Sequence, residues 1–289
     1  MDIDFKGFKL DVTPAQMAQL IDHTKLSAWE GPQAIKNLCH EAIQYNFYSV
    51  CINSSYVPLA VETLKNTDVK VCSVVGFPLG MMGTDSKAYE TKNVVKNGAN
   101  EVDMVINVGM LKSGEYKYVQ TDIESVVSAA GKALVKVIIE TCYLTDEEKI
   151  KASELSKDAG AEFVKTSTGF GVYGSFPYDV KLMRKTVGPD MGVKAAGGIR
   201  NYADAARVII ANGLILDPLK FRIGASAGIN IINNLKWMSL SEEWFIDEIP
   251  CHLCPVRAAT FGKMSEIHYS YHKSKCHTCQ YNNYNQFYD

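Results

Sequence analysis

The chain has 289 residues, of which 47% are hydrophobic and 21% are charged, and its 30 lysines and arginines face 32 aspartates and glutamates for a net charge of -2. These values are typical of a globular protein and exclude the surplus of positive charge with which proteins bind the phosphate backbone of nucleic acids. Residues 1–7 are neither basic nor apolar, and the charge-free run at 42–61 contains several polar residues and a proline. We therefore expect no secretory signal, no transmembrane helix and a cytoplasmic location.

Eight short apolar runs alternate with stretches of helical length along most of the chain. Several of these stretches, such as 33–46 and 146–160, end on Asn or Gly, as helices commonly do. Strand and helix in alternation predict a parallel sheet, and eight strands are the number that closes a TIM (β/α)8 barrel, an α/β fold. An open doubly wound sheet is the alternative. The apolar runs are residues 20–24, 49–53, 70–76, 101–107, 135–141, 163–167, 193–197 and 221–224.

The alternation stops after Lys236, and the remainder has a different composition. We predict a barrel domain over residues 1–238 and a short Cys-rich extension over residues 239–289. Two Cys-x-x-Cys pairs separated by 21 residues have the spacing of a structural zinc site, which would let a segment with little apolar mass fold. Reduced thiols, an iron–sulfur cluster or a redox pair are the alternatives. The expected ligands are Cys251, Cys254, Cys276 and Cys279, with His252, His268, His272 and His277 as substitutes.

Three of the charged residues inside otherwise apolar runs stand out. The two-residue period of the fourth run directs its apolar side chains toward the helices and Asp103 toward the barrel interior. Lys165 and Lys194 lie in the sixth and seventh runs, which are neighbours in a barrel. Two like charges in a poorly solvated site disfavour each other's protonation, so one amine should be neutral and able to attack a carbonyl carbon, with Asp103 moving protons through water. Alternatively, each lysine reaches solvent at a strand end or pairs with a carboxylate such as Glu140.

Small residues follow the last two runs, where barrels commonly hold phosphate. Gly197 and Gly198 follow the seventh run, and the glycine-bounded segment 224–228 closes the eighth. Backbone N–H groups can approach an anion closely where side chains are small. The sequence therefore predicts a phosphate site, although tight turns alone would also explain these glycines.

Taken together, these segments resemble the deoxyribose-phosphate aldolase family. The resemblance covers residues 17–235 in order. The matching segments are LIDHTKL (20–26), VCINSSY (50–56), VGFPLG (75–80), GANEVDMVIN (98–107), VIIETC (137–142), FVKTSTGF (163–170), VKAAGGIR (193–200) and RIGAS (222–226).

The resemblance implies a TIM-barrel class I aldolase that needs no metal or other cofactor for catalysis. It places the Schiff-base lysine at Lys165, a second lysine at Lys194 and a proton-relay aspartate at Asp103. The implied default reaction is the reversible cleavage of 2-deoxy-D-ribose 5-phosphate to D-glyceraldehyde 3-phosphate and acetaldehyde, and we expect a homo-oligomer. The substrate and phosphate positions carried over are Gly169, Gly197, Gly198, Gly224, Ser226, Asp22, Thr24 and Cys51.

The sequence departs from the family's usual pattern in two places near the expected substrate. Residues 171–178 form a bulky, aromatic segment where the family has a small, Gly- and Thr-rich loop, and Ala227 stands where a second serine often follows Ser226. We expect the loop to border the substrate and the phosphate site to be weakened. Some bacterial relatives end in a tyrosine that reaches the active site, but the intervening cysteines make a disordered end the expectation for Tyr288.

Two other functions are compatible with this pattern. One is the same Schiff-base chemistry on a different acceptor aldehyde, as in a specialised biosynthetic pathway. The other is a non-catalytic barrel with a binding or regulatory role. Asp103, Lys165 and Lys194 argue against the second, because a barrel without chemistry has no need to hold two like charges together.

Overall fold

Eight strands alternate with helices in the computed structural model, which describes Leu10 and residues 12–237. The strands are β1 (Ile21–Lys25), β2 (Ser49–Ile52), β3 (Lys70–Val75), β4 (Glu101–Val105), β5 (Leu134–Ile138), β6 (Phe163–Lys165), β7 (Gly192–Ala196) and β8 (Phe221–Ala225). The helices are α1 (Pro14–Ala18), α2 (Pro32–Tyr45), α3 (Val57–Thr63), α4 (Thr84–Lys96), α5 (Val108–Lys112), α6 (Tyr116–Ala130), α7 (Asp146–Asp158), α8 (Pro177–Val187), α9 (Tyr202–Ala211) and α10 (Gly228–Trp237), with 3-10 turns at Ser54–Tyr56 and Thr141–Tyr143.

The strands close into one parallel barrel in sequence order, with β8 paired to β1. The closing pair places Asp22 opposite Gly224. The prediction of a TIM barrel is thus confirmed, and the open doubly wound sheet is wrong.

Local sequence signals explain where the helices begin and end. Thr145 and Glu148 form a capping box at the start of α7, in which each side chain accepts a hydrogen bond from the other's backbone N–H. At the other end of a helix, Asn46 follows α2 in the left-handed conformation with φ of 54°. The predicted helix over residues 33–46 therefore differs from the observed helix by one residue at each end.

The two faces of the barrel wall differ in chemistry. Outward side chains such as Val102 and Met104 belong to a continuous apolar core between the strands and the surrounding helices. The interior carries a small apolar cluster of Leu26, Cys51, Cys72 and Val74, with charged side chains beside it. Burial of the outer face stabilises the fold, and the interior is left for polar groups.

The described part of the chain contains no helix long and apolar enough to span a bilayer. The Cys-rich extension, with Cys251, Cys254, Cys276 and Cys279, and the penultimate Tyr288 lie outside the described residues.

Candidate active site

Asp103 bridges the two lysines that the sequence analysis singled out. Lys165 and Lys194 are register partners on β6 and β7, and each ammonium nitrogen lies 2.7 Å from the same oxygen, Asp103 Oδ2. All three side chains are at most 2% exposed. The structure therefore brings together the three predicted residues inside the barrel, with a carboxylate between the two like charges.

A wider ion-pair network surrounds this trio. Lys194 also contacts Asp22 Oδ2 at 2.5 Å, and Lys136 lies 3.0 Å from Asp103 Oδ1. Below them, Lys136 contacts Glu101 at 2.5 Å. The remaining contacts join Arg222 to Asp22 and, at 2.8 Å, to Glu101 Oε1, and Ser49 to Asp22 at 2.7 Å. These groups form one buried network across the barrel.

The network fixes the ionisation of its members. Burial alone would raise the pKa of Asp103, but Lys136, Lys165 and Lys194 together lower that pKa well below its usual range. Burial likewise acts to raise the pKa of Asp22, and Arg222 and the lysines outweigh it, so this pKa is also lowered. The pKa of Lys194 is raised despite burial, because Asp103 and Asp22 face it. Asp103 is thus a carboxylate and Lys194 a cation at neutral pH.

Charge in the interior is unevenly balanced. The four cations Lys136, Lys165, Lys194 and Arg222 face the three carboxylates Asp22, Glu101 and Asp103. The interior thus holds one more cation than carboxylates, and an uncompensated buried charge is costly. Lys165 is the cation with a single carboxylate contact among the described ion pairs, whereas Lys194 has two.

Two thiols lie beside the same aspartate. Cys72 Sγ is 3.1 Å from Asp103 Oδ1 and Cys51 Sγ is 3.9 Å from Asp103 Oδ2. Among the described residues, these three side chains form a group that offers metal ligands within 4.8 Å of one another. The neighbouring ammonium groups of Lys136 and Lys165 already occupy the carboxylate and would repel a metal cation.

The loops that follow β6 and β7 meet backbone to backbone. Gly169 and Gly197 have φ of 87° and 85°, and a Cβ added to Gly197 would lie 2.9 Å from the Cα of Gly174 and 3.4 Å from that of Gly169. Side chains could not be accommodated here without displacing the opposite loop. Gly198 follows directly, also at positive φ. The predicted phosphate glycines of these two loops are therefore neighbours.

The other predicted substrate positions are placed differently. Gly224 was expected in the turn after β8 but lies within that strand. A Cβ at this position would lie 3.1 Å from Lys194 Cε, so the absence of a side chain makes room for the lysine. Ser226 is exposed just beyond the strand end. Thr24 is half-buried, and its hydroxyl donates to the backbone oxygen of Asp22 at 2.8 Å.

Two tyrosines of the aromatic loop at 171–178 bond to residues that follow β5. The Tyr178 hydroxyl donates to Asp146 at 2.7 Å, and the Tyr173 hydroxyl donates to the Thr141 backbone oxygen at 3.3 Å. Thr141 lies in the turn after β5, and Asp146 is the first residue of α7. That this bulk borders the substrate stays a prediction.

None of the ion pairs in the described part of the chain joins Glu140 to a lysine. Its carboxyl accepts hydrogen bonds from the Thr168 hydroxyl and, at 3.3 Å, from the Thr168 backbone N–H. Burial raises the pKa of Glu140. The alternative in which Glu140 neutralises Lys165 is wrong, and this carboxyl instead fastens the loop that follows β6.

The chain is similar to known aldolases over about three quarters of its length. Residues 16–234 match the family described as DeoC/LacD family aldolase. The chain belongs to this aldolase family. A deoxyribose-phosphate aldolase of Clostridium perfringens is 58% identical over 217 residues, which are 75% of this chain and 94% of that protein. One of Thermococcus gammatolerans is 55% identical over 224 residues, covering 76% and 96%.

A solved aldolase structure has the same fold as this chain. The deoxyribose phosphate aldolase of Aeropyrum pernix, described as a unique tetrameric structure, superposes with a TM-score of 0.70 at 32% identity, covering 78% of this chain and 92% of that one. The prediction of the family and of an aldolase is confirmed.

In this DeoC/LacD aldolase, sequence reasoning missed Lys136, Glu101 and Arg222. The signal that identified Lys165 was present for Lys136 and Arg222 as well, since each is a charged residue inside an apolar run. Cys72 carried no such signal, because a buried cysteine is an ordinary small apolar residue.

Proposed function

We propose that the protein is a class I aldolase that cleaves 2-deoxy-D-ribose 5-phosphate reversibly through a Schiff base at Lys165. The observation that supports this most directly is the contact of Lys165 and Lys194 with one oxygen of Asp103, in a chain of the DeoC/LacD aldolase family. A buried lysine that can lose its proton is the group that forms imines with aldehydes.

Release of a proton prepares the nucleophile. Four cations face three carboxylates in the interior, so a neutral Lys165 leaves the remaining charges balanced. Its nitrogen attacks the aldehyde carbon of the open-chain sugar, the carbonyl oxygen takes a proton, and loss of water gives the iminium ion. Before the attack, Lys194 stays protonated beside the neutral amine and opposes its reprotonation.

Asp103 is suited to the proton transfers. While two ammonium groups share its Oδ2, its pKa is held low and it is a poor base. The iminium nitrogen of Lys165 takes up the electron pair of the bond between carbons 2 and 3 as that bond breaks, which gives the neutral enamine. Asp103 accepts the proton of the substrate's 3-hydroxyl through water in the same step, because the positive charge beside its Oδ2 is discharged as the enamine forms. Protonation of the enamine carbon and hydrolysis release acetaldehyde.

The preference for a phosphorylated substrate tests this function. We expect measurable cleavage of 2-deoxyribose 5-phosphate, followed as acetaldehyde release, with a modest advantage in kcat/KM over 2-deoxyribose. Because Ala227 supplies no hydroxyl, Ala227→Ser should increase that advantage by about fivefold, the equivalent of about 1 kcal/mol for one hydrogen bond. A preference of several orders of magnitude in the native chain, lost on Ser226→Asp, would contradict a weakened phosphate site. Turnover of other aldehydes without any of this sugar would favour a different acceptor.

The pH profile tests the coupling of the two lysines. In Lys194→Leu, Lys165 alone holds Asp103 Oδ2, and three cations face three carboxylates in the interior, so less positive charge opposes the protonation of Lys165. The neutral amine should then form only at higher pH, so the alkaline limb of the kcat/KM profile should move upward. An unchanged profile would show that Lys194 does not control the nucleophile.

Composition and the solved relative also bear on the location, the partners and the oligomeric state of the enzyme. We propose a cytoplasmic protein that acts on small aldehydes or sugar phosphates, because its charge and composition point to neither nucleic acid nor membrane as a partner. We also propose a homo-oligomer, in keeping with the tetrameric structure described for the Aeropyrum pernix relative.

We propose that residues 239–289 form a separate module that holds one structural zinc through Cys251, Cys254, Cys276 and Cys279. Elemental analysis of protein purified without added metal should find about one zinc per chain, and Cys276→Ser should lose it. Chelation should leave aldol cleavage unchanged, since no step above uses a metal. Metal-free protein with four readily alkylated tail thiols would contradict the zinc site, and activity lost on chelation would contradict its separation from catalysis.

A further inference from the structure

Cys51 and Cys72 form a pair of thiols across two neighbouring strands. They are register partners on β2 and β3, and both are fully buried in the apolar cluster inside the barrel. Residues in register on parallel strands direct their side chains to the same face of the sheet. Their sulfur atoms accordingly lie within 4.8 Å of each other.

The register of the pair is compatible with a disulfide. Adjacent strands lie about 4.7–4.9 Å apart, within the Cα separation of about 4.4–6.8 Å that disulfides span. Closure requires the two sulfurs, which lie within 4.8 Å of each other, to approach to about 2.05 Å.

The two thiols of the pair differ in acidity. Hydrogen bonding by Cys72 lowers the pKa of Cys51 against burial and the Asp103 carboxylate, which act to raise it, and Lys194 and Lys165 help to lower it. The two remaining buried thiols of the described chain lack such neighbours: burial raises the pKa of Cys39 to about 11 and that of Cys142 to about 12. Cys51 is thus the described cysteine most suited to attack an oxidant.

We propose that Cys51 and Cys72 are a redox modification site, which closes to a disulfide when peroxide enters the barrel and which a dithiol reopens. The aldehyde must reach Lys165 inside the same barrel, and hydrogen peroxide is smaller than any such substrate. Entry of the oxidant therefore needs no opening beyond what the proposed reaction already requires.

The chemistry balances in two steps. The Cys51 thiolate attacks one peroxide oxygen, the oxygen–oxygen bond breaks, and the leaving hydroxide takes a proton to become water, which leaves a sulfenic acid. Cys72 then attacks the Cys51 sulfur, the sulfur–oxygen bond breaks, and the departing hydroxide takes the Cys72 proton to form a second water. The two thiols lose two electrons and peroxide gains them.

Closure would disturb the site because Cys72 lies 3.1 Å from the aspartate that holds both lysines. A disulfide removes this thiol's proton, so the hydrogen bond to Asp103 Oδ1 is lost, and it draws the sulfur toward β2. This consequence for activity rests on the proposed function; formation of the disulfide does not.

The test uses the full-length chain with the four tail cysteines replaced by serine, so that the remaining thiols are those of the barrel. After treatment with hydrogen peroxide and alkylation of the free thiols, peptide mapping should find the segments containing Cys51 and Cys72 joined. Cleavage activity should fall about tenfold or more relative to the untreated sample and return with dithiothreitol. Cys39→Ala is the matched control and should show the same linkage and the same reversible loss, whereas Cys72→Ala should show neither.

Several results would overturn the proposal. Both thiols alkylated after peroxide treatment, or Cys51 oxidised to sulfinic acid without linkage, would show that the pair does not close. Complete linkage with full activity would show that it does not act on the catalytic site. Because linkage is scored by mass, its failure is distinguishable from a failure of the proposed aldolase reaction.

Discussion

Lys165→Ala is expected to lower kcat by roughly 10⁴-fold, a loss of the size that follows removal of a catalytic nucleophile. The native chain incubated with acetaldehyde and sodium borohydride should carry a reduced ethyl adduct on Lys165, because borohydride reduces the iminium ion to a stable secondary amine. The variant should carry none. Peptide mass mapping of trapped protein measures this directly, and acetaldehyde release measures turnover.

The matched control is Lys70→Ala. Lys70 is an exposed lysine at the start of β3, so it lies at the opposite end of the barrel strands from the catalytic mouth. This variant should keep both the adduct and the turnover. Adducts spread over surface lysines, with Lys165 unmodified, would contradict the assignment of the Schiff base.

Strand geometry explains why the sequence predicts that Lys165, Lys194 and Asp103 converge. The two-residue period gives the face of each residue, and the closure of eight strands brings β4, β6 and β7 around one interior. The sequence does not show how far along the barrel axis each side chain lies. Lys136 contacts Glu101 at 2.5 Å and Asp103 at 3.0 Å, and those contacts depend on the register of β4 against β5.

The aromatic loop shows a second limit of sequence reasoning. Its composition correctly indicates large side chains, but the direction in which those side chains point depends on partners far away in the chain. Tyr178 bonds to Asp146, which is 32 positions earlier, and Tyr173 bonds to the turn after β5. A local pattern cannot show which of several neighbouring surfaces will supply such a hydrogen bond, because that is settled by how α7 and α8 pack.

Asp103→Asn should have the second large effect, because it removes a charge while keeping the shape of the side chain. The interior would then hold four cations against two carboxylates. We expect kcat to fall by about 10³-fold, since the amide cannot accept the protons that the carboxylate moves. The free energy of unfolding should fall by about 3–5 kcal/mol, the usual cost of leaving buried charges without their partner.

The pH dependence of that stability loss has a definite sign. The pKa of Asp103 is held well below its usual range in the folded chain, so its ion pairs stabilise the fold above the ordinary aspartate pKa of about 4. This contribution is lost as the pH falls through the folded-state pKa. Denaturation by urea at a series of pH values should therefore show the largest difference between native and variant near neutrality and a shrinking difference below about pH 4.

Asp122→Asn is the control that separates an effect of Asp103→Asn on catalysis from its effect on stability. Asp122 is also fully buried and lies 2.5 Å from the ammonium group of Lys87, but this pair joins α4 to α6 outside the barrel interior. The control should lose a similar amount of stability, while the folded fraction keeps the native kcat and the native adduct at Lys165. If both variants lose activity only in proportion to the protein that unfolds, Asp103 is a structural partner of the lysines and the proton transfers must run through another group.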